Sequence, residues 1–256
     1  LNGGWSYSWQ GEKTEDFAQN YHSIYQALKN TWGQNQVSFE QGVAYKMNGK
    51  YFEDSVVDIA AAINAASQSD VIVVCVGENS YTEKPGDLND LNLSDNQQQL
   101  IEAMINTGKP VVLVLNEGRP RNISRFEPKL KAILQLFIPG NYGGDALADI
   151  LSGKINPSGK LPITYPRYVN SLATYIHKPS DELTNPQGAY DYSADYNPLY
   201  DFGYGLSYTR FSFSNLKTNK TKYKLNDTMY VAVDVKNVGS MKGKEVVKIF
   251  VSDKVA

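Results

Sequence analysis

The sequence has a single cysteine and only two histidines in 256 residues, and its charges nearly cancel, with 25 Lys+Arg against 27 Asp+Glu. One cysteine excludes an internal disulfide. Cys75 stands in the apolar run Val71-Ile72-Val73-Val74-Cys75-Val76 and reads as a buried small hydrophobe rather than a nucleophile. Two histidines and one cysteine offer no ligand cluster, so no metal is expected. Without a basic excess there is nothing to hold a phosphate backbone, and nucleic acid is disfavoured as a partner. No apolar run approaches the ~18 residues of a membrane helix, so no membrane span is expected. No nucleophile elbow appears, and His22 and His177 join no Ser/Asp signature. The chain starts at Leu1 and stops at Ala256 straight after a strand-like run. Both ends look cut, which suggests a piece of a longer protein, and the N-terminus carries no address.

What is present is a length for one to two domains at about 150 residues each. Residues 16–159 alternate helix and strand patterns. Phe17, Tyr21, Ile24 and Leu28 give one face of a first helix, and Val37-Ser38-Phe39 a short strand. Asp54 or Ser55 is a cap for a second helix with inward face Val56, Ile59, Ala60, Ile63 and Ala66. The apolar run 70–77 reads as a strand covered on both faces. Ser94 with Gln97 forms a capping box before Leu100, Ile101, Met104 and Ile105, and Gly108 stops that helix. A strand over 111–115, a short helix near 121–126, a strand over 132–137, a helix over 145–151 and a strand over 161–165 follow. Repeated strand–helix–strand units imply an α/β fold: a mostly parallel sheet flanked by helices.

Between residues 165 and 208 the periodicity breaks. Four prolines and eight of the 18 tyrosines crowd into residues 166–208, too aromatic for a solvated linker, so an ordered segment packed over the sheet is expected. After Thr209 the pattern turns all-β, with Phe211-Ser212-Phe213, Tyr230 to Val235 and Val246 to Val251 alternating or apolar around Asn237-Val238-Gly239. Three strands suggest the first part of a β-sandwich.

Ligands of parallel α/β sheets bind beyond the carboxyl ends of the strands. The loop after Gly77 carries the carboxylates Glu78, Glu83, Asp87 and Asp90. A phosphate-binding loop needs glycines and free N–H groups instead. A carboxyl beside a sugar is the usual general acid of glycoside hydrolysis, whereas acids on a surface loop also serve solvation alone. Trp5 and Trp9 in Gly3-Gly4-Trp5-Ser6-Tyr7-Ser8-Trp9-Gln10-Gly11 suit sugar stacking or burial under the first helix. Arg119, in Gly118-Arg119-Pro120, is placed to bond a carboxylate of a neighbouring loop or to be purely structural.

Together the stretches Gly3-Gly4-Trp5, residues 70–87, Val111 to Pro120, Pro139-Gly140-Asn141-Tyr142-Gly143-Gly144, Asn156-Pro157-Ser158-Gly159-Lys160-Leu161-Pro162 and Pro198 to Tyr208 resemble the C-terminal half of glycoside hydrolase family 3, of the β-glucosidase, exo-β-glucanase and β-xylosidase type. The resemblance implies an α/β sandwich domain over 1–165. A connecting segment over 166–208 and the truncated N-terminal part of a fibronectin III-like β-sandwich over 209–256 would follow. It implies a retaining β-glycosidase acting on the non-reducing end of a β-linked oligosaccharide or glucoside. An N-terminal (β/α)8 barrel of the same polypeptide would hold the aspartate nucleophile. Gly77, Glu78, Tyr81, Glu83, Gly86 and Asp87 match a Gly-Glu-x-x-Tyr-x-Glu-x-x-Gly-Asp pattern that assigns the catalytic acid/base to Glu83. Trp9 takes the substrate-binding role at the aglycone side, and Trp5 a structural one. No cofactor and no metal are implied, and a secreted or periplasmic home is. Retention needs two carboxylates about 5–5.5 Å apart, so this piece without its barrel is expected to be inactive. The alternative is a non-catalytic carbohydrate-binding or scaffold module that reuses the fold.

Overall fold

The computed structural model describes residues 8, 9, 11, 13, 16–46, 49, 50, 52–171 and 197–251. Trp5 and His177 lie outside these residues, as do the tyrosines between 172 and 196.

Three parallel strands, β3 (Ile72–Gly77), β4 (Val111–Asn116) and β5 (Ala132–Gln135), lie side by side in that order. They follow a small antiparallel pair, β1 (Val43–Tyr45) with β2 (Asp54–Val56). Four helices accompany them: α1 (Ile24–Trp32), α2 (Ile59–Ser67), α3 (Asp95–Asn106) and α4 (Gly143–Leu151). A separate antiparallel pair, β6 (Phe211–Thr218) with β7 (Val231–Asn237), closes the described chain. The architecture is therefore an α/β layer with a parallel sheet flanked by helices, then a small β unit.

One face of the sheet is dry. Ile72, Val74 and Val76 of β3 and Leu113 and Leu115 of β4 pack with Ala62 and Ala66 of α2 and with Ile101 and Met104 of α3. Small residues at the α2 contact let that helix approach, and the alternation of a strand puts every second β3 side chain on this face. The opposite face differs from expectation. Val71, Val73 and Cys75 line an open cleft of about 1950 Å³ whose far wall includes Tyr25 and Leu28 of α1 and Leu151 of α4. Cys75 is exposed to that cleft rather than sealed in the core, although the protein around it still pushes its thiol up to about 11. Across the cleft α1 and α4 form a second, smaller core of Ala27, Leu28 and Ala148. Their close approach needs Gly144, where a Cβ would sit 2.5 Å from the His22 carbonyl oxygen.

Several local expectations shift. The first helix begins at Ile24 rather than Phe17, because Ser23 and Gln26 make a reciprocal capping box that fixes its start. Residues 37–39 form no strand; Phe39 is exposed and meets the Tyr25 ring at 5.4 Å. Asp58, not Asp54 or Ser55, caps α2 through the Ala61 amide, leaving Val56 and Ile63 exposed. Residues 121–126 form turns rather than a helix. Residues 161–165 form no regular strand: Leu161 bonds the backbone of Gly203 and Tyr204 and Tyr165 bridges Tyr200, but Pro162 between them cannot donate to a ladder. The apolar run 246–251 has no ladder partner among the described residues.

The irregular stretch still packs on the sheet where it is described. Tyr165 and Leu199 join the main core, Tyr165 meets Tyr200 edge-on at 6.0 Å, and Tyr200 stacks on Tyr204 at 4.8 Å.

Candidate functional site

Parallel register brings Gly77 beside Asn116, so the loops leaving β3 and β4 emerge together at the carboxyl edge of the sheet. Gly77 is required there. Its φ is +136°, and a Cβ would lie 2.1 Å from the Asn116 carbonyl oxygen. The Gln97 side chain clamps it from α3, accepting from the Gly77 amide at 2.8 Å and donating to its carbonyl at 3.0 Å. Gln97 is therefore only half of the expected capping box: its amide bonds Ser94 Oγ, while its side chain serves the strand end. Ser94, Asn96 and Gln97 all donate to the Asp54 carboxylate, which sits at the positive N-terminus of α3.

Beyond Gly77 the four loop carboxylates separate sharply. Glu78 is 2% exposed. Its Oε1 accepts from Arg121 Nε at 2.7 Å and Arg119 Nη2 at 3.0 Å, and also pairs with Arg121 Nη2. Its Oε2 accepts from the Gly118 amide at 3.0 Å. A charge so buried persists only with such partners. Arg121 reaches on, donating to the carbonyls of Asp90 and Asn92 at 3.0 and 3.1 Å, which ties down the far end of the loop. Glu117, 1% exposed, lies beside the pair; its Oε1 accepts from Tyr165 Oη at 3.0 Å, the Arg121 amide at 3.1 Å and Gln135 Nε2 at 3.2 Å. Burial, foremost, pushes Glu117 up to about 8.

Tyr81 fills the middle of the loop. Its ring occupies the space a Cβ on Gly86 would take, and its hydroxyl lies where a Cβ on Gly118 would be, 2.1 Å away. The Arg119 guanidinium lies over the ring at 4.3 Å from its centre. Burial first, and the adjacent Glu78 carboxylate second, push the Tyr81 hydroxyl well above its ordinary range.

Glu83 occupies the crest. It is exposed, and its carboxylate makes no hydrogen bond or ion pair among the described residues. Its backbone has φ +50° and ψ −141°, a conformation that costs a non-glycine residue on the order of 1–3 kcal/mol and must be held by its surroundings. A single 3-10 turn, Lys84–Gly86, follows at once, closed by the Gly86 amide on the Glu83 carbonyl at 2.9 Å. Asp87 and Asp90 are also exposed, and Asp90 Oδ1 accepts from the Asn92 amide within its own turn. Trp9 is 62% exposed, and its segment is joined to the loop by Ser80 Oγ donating to the Gly11 carbonyl at 2.9 Å.

Glu83 and Trp9 thus lie on two connected segments, both open to solvent, and Arg119 bonds Glu78 from the loop after β4. The sequence marks Glu78 only as one of four loop carboxylates and Gln97 only as a helix cap, and it does not mark Glu117 or Arg121 at all. The signal lies in Gly77-Glu78 at the end of β3 and in Arg119-Pro120-Arg121 just beyond the end of the adjacent parallel strand β4. No group of three or more metal-ligating side chains occurs among the described residues, and no described helix is long and apolar enough to cross a membrane.

Residues 1–208 match the model of the glycosyl hydrolase family 3 C-terminal domain. The chain belongs to glycosyl hydrolase family 3. A β-xylosidase of Formosa agariphila is 41% identical over 194 residues, covering 75% of this chain and 27% of that protein. A lysosomal β-glucosidase of Dictyostelium discoideum is 34% identical over an alignment of 269 positions, covering 99% of this chain and 31% of that protein. Among solved structures, a β-glucosidase of Erythrobacter marinus superposes with a TM-score of 0.70 at 34% identity, covering 85% of this chain and 32% of that one. The family 3 chain described here therefore spans about a third or less of the length of these relatives.

Proposed function

We propose that this chain supplies the acid/base carboxylate, Glu83, of a retaining β-glycosidase. The enzyme would remove non-reducing terminal β-D-glycosyl residues from β-linked oligosaccharides or glucosides. An N-terminal (β/α)8 barrel of the same polypeptide would provide the aspartate nucleophile and most contacts to the departing sugar. In this reading residues 1–165 are the α/β sandwich domain, 166–208 its packed connector and 209–256 the start of a fibronectin III-like unit. The single observation that carries the assignment is the contrast on one loop. Glu78 is consumed by two arginines, whereas Glu83 is presented outward, its side chain bonded to no described residue, on a backbone held in a costly conformation.

In the first step a protonated Glu83 gives its proton to the glycosidic oxygen as the barrel carboxylate attacks the anomeric carbon. In the second, the Glu83 carboxylate takes a proton from water, which releases the sugar with retained configuration. Trp9 offers a flat apolar face on the leaving-group side. A site outside the cytosol, secreted or periplasmic, accords with the lysosomal name of the Dictyostelium relative. Substitution Glu83→Gln in the complete enzyme is expected to lower turnover by several orders of magnitude, with azide restoring part of it by occupying the place of the catalytic water. Turnover near the wild-type value in that variant sinks the assignment.

A further inference from the structure

Arg119 joins the fixed base of the loop to its crest. Its Nη2 donates to the buried Glu78 carboxylate at 3.0 Å, its Nη1 donates to the Gly86 carbonyl, and its plane covers the Tyr81 ring. Gly86 closes the turn that begins at Glu83. Arg121, by contrast, is nearly buried and holds the far end of the loop at Asp90 and Asn92. Glu78 keeps Arg121 as a partner when Arg119 is removed, so the buried ion pair does not depend on Arg119.

We propose that Arg119 is a positioning residue for Glu83: its guanidinium fork spans from Glu78 to the Gly86 carbonyl and holds the Glu83 turn in the conformation that presents the carboxyl to the glycosidic oxygen. This rests on Glu83 being the acid/base. The fork geometry is what matters. A lysine is a point charge on a flexible stem, able to satisfy Glu78 or Gly86 but not to bridge both while stacking on Tyr81. Tyr81 completes the device as a spacer, since its ring fills the room left by the absent Cβ of Gly86 and fixes how far the turn stands from the guanidinium.

A displaced acid lowers kcat/KM, which reads the first step, only where the leaving group needs a proton; the second step, where Glu83 acts as base, is common to all substrates and shows in kcat alone. The test compares wild type, Glu83→Ala, Arg119→Ala and Arg119→Lys in the complete enzyme, on phenyl β-glucoside and on dinitrophenyl β-glucoside. Dinitrophenolate departs without protonation, whereas phenolate does not. For Arg119→Ala, kcat/KM on the phenyl glucoside is expected to fall about 100-fold, the scale of a misplaced catalytic group, while the dinitrophenyl substrate is little changed. Arg119→Lys is expected to resemble Arg119→Ala. Millimolar guanidinium is expected to restore part of the phenyl glucoside activity to Arg119→Ala and none to Glu83→Ala. Thermal unfolding of Arg119→Ala close to wild type completes the expected pattern. If Glu83→Ala discriminates between the two substrates and Arg119→Ala loses both equally, or neither, the positioning role is overturned and the acid/base reading stands. If Glu83→Ala itself does not discriminate, the acid/base reading falls and the positioning role falls with it.

Discussion

The base and the crest of the loop after β3 carry the same chemical group in opposite settings. At the base Glu78 is 2% exposed and held by Arg119, Arg121 and the Gly118 amide. At the crest Glu83 is exposed, and no described residue bonds its side chain. The base is a structural device, because a desolvated carboxylate without partners is untenable there. The crest is available for chemistry because the base has absorbed the arginines. The loop thus separates the carboxylate that organises from the carboxylate proposed here as the acid/base.

The largest effect that bears on this contrast is loss of Arg121. Substitution Arg121→Ala strips Glu78 of its closest partner and frees Asp90 and Asn92, and is expected to cost about 3–5 kcal/mol in chemical denaturation. Glu83→Gln is expected to stay within about 0.5 kcal/mol of wild type, as a surface change does. Equal costs for the two variants would erase the distinction between base and crest.

A second test uses pH. Glu117 stands at about 8 in the folded protein against an ordinary value of 4.5, with burial as the main cause and Glu78, Arg121 and Tyr165 as its charged or titratable neighbours. Between those values the folded state binds more proton than the unfolded state, so stability falls as pH rises from about 4.5 to about 8 and levels off above. This single group contributes at most about 1.4 kcal/mol per pH unit. Glu117→Gln is expected to flatten denaturation midpoints measured from pH 5 to 8; an unchanged slope would show that Glu117 is ionised in the fold.

The smallest expected effect lies far from the loop. His22 Nδ1 meets Asp145 Oδ1 at 2.9 Å between the starts of α1 and α4, with both side chains about half exposed, 51% and 49%. His22→Ala is expected to cost no more than about 1 kcal/mol, and to leave the pH slope assigned to Glu117 in place.

The parts of this molecule legible in the sequence are those where one signal dominates. β3 and β4 are unbroken apolar runs, α3 has its Ser94 cap, and Gly108 ends it with φ +74°. Residues 37–39 and 246–251 show that a short alternation or apolar run does not specify a ladder without a neighbour to pair with. Cys75 misled because its run reads as covered on both faces, yet α1 and α4 pack on each other and leave the cleft between. At the site, the pattern around Glu83 was legible through resemblance, but nothing local marks Glu78 as buried. That depends on strand register, which sets the Arg119 and Arg121 side chains beside it.

The most direct measurement is the separation of carboxyl groups in a crystal structure of the complete enzyme with its glycosyl intermediate trapped. The Glu83 carboxyl is expected about 5–5.5 Å from the nucleophile and facing the anomeric centre, as retention requires. Glu83 turned away, with a different carboxyl at that distance, would contradict it.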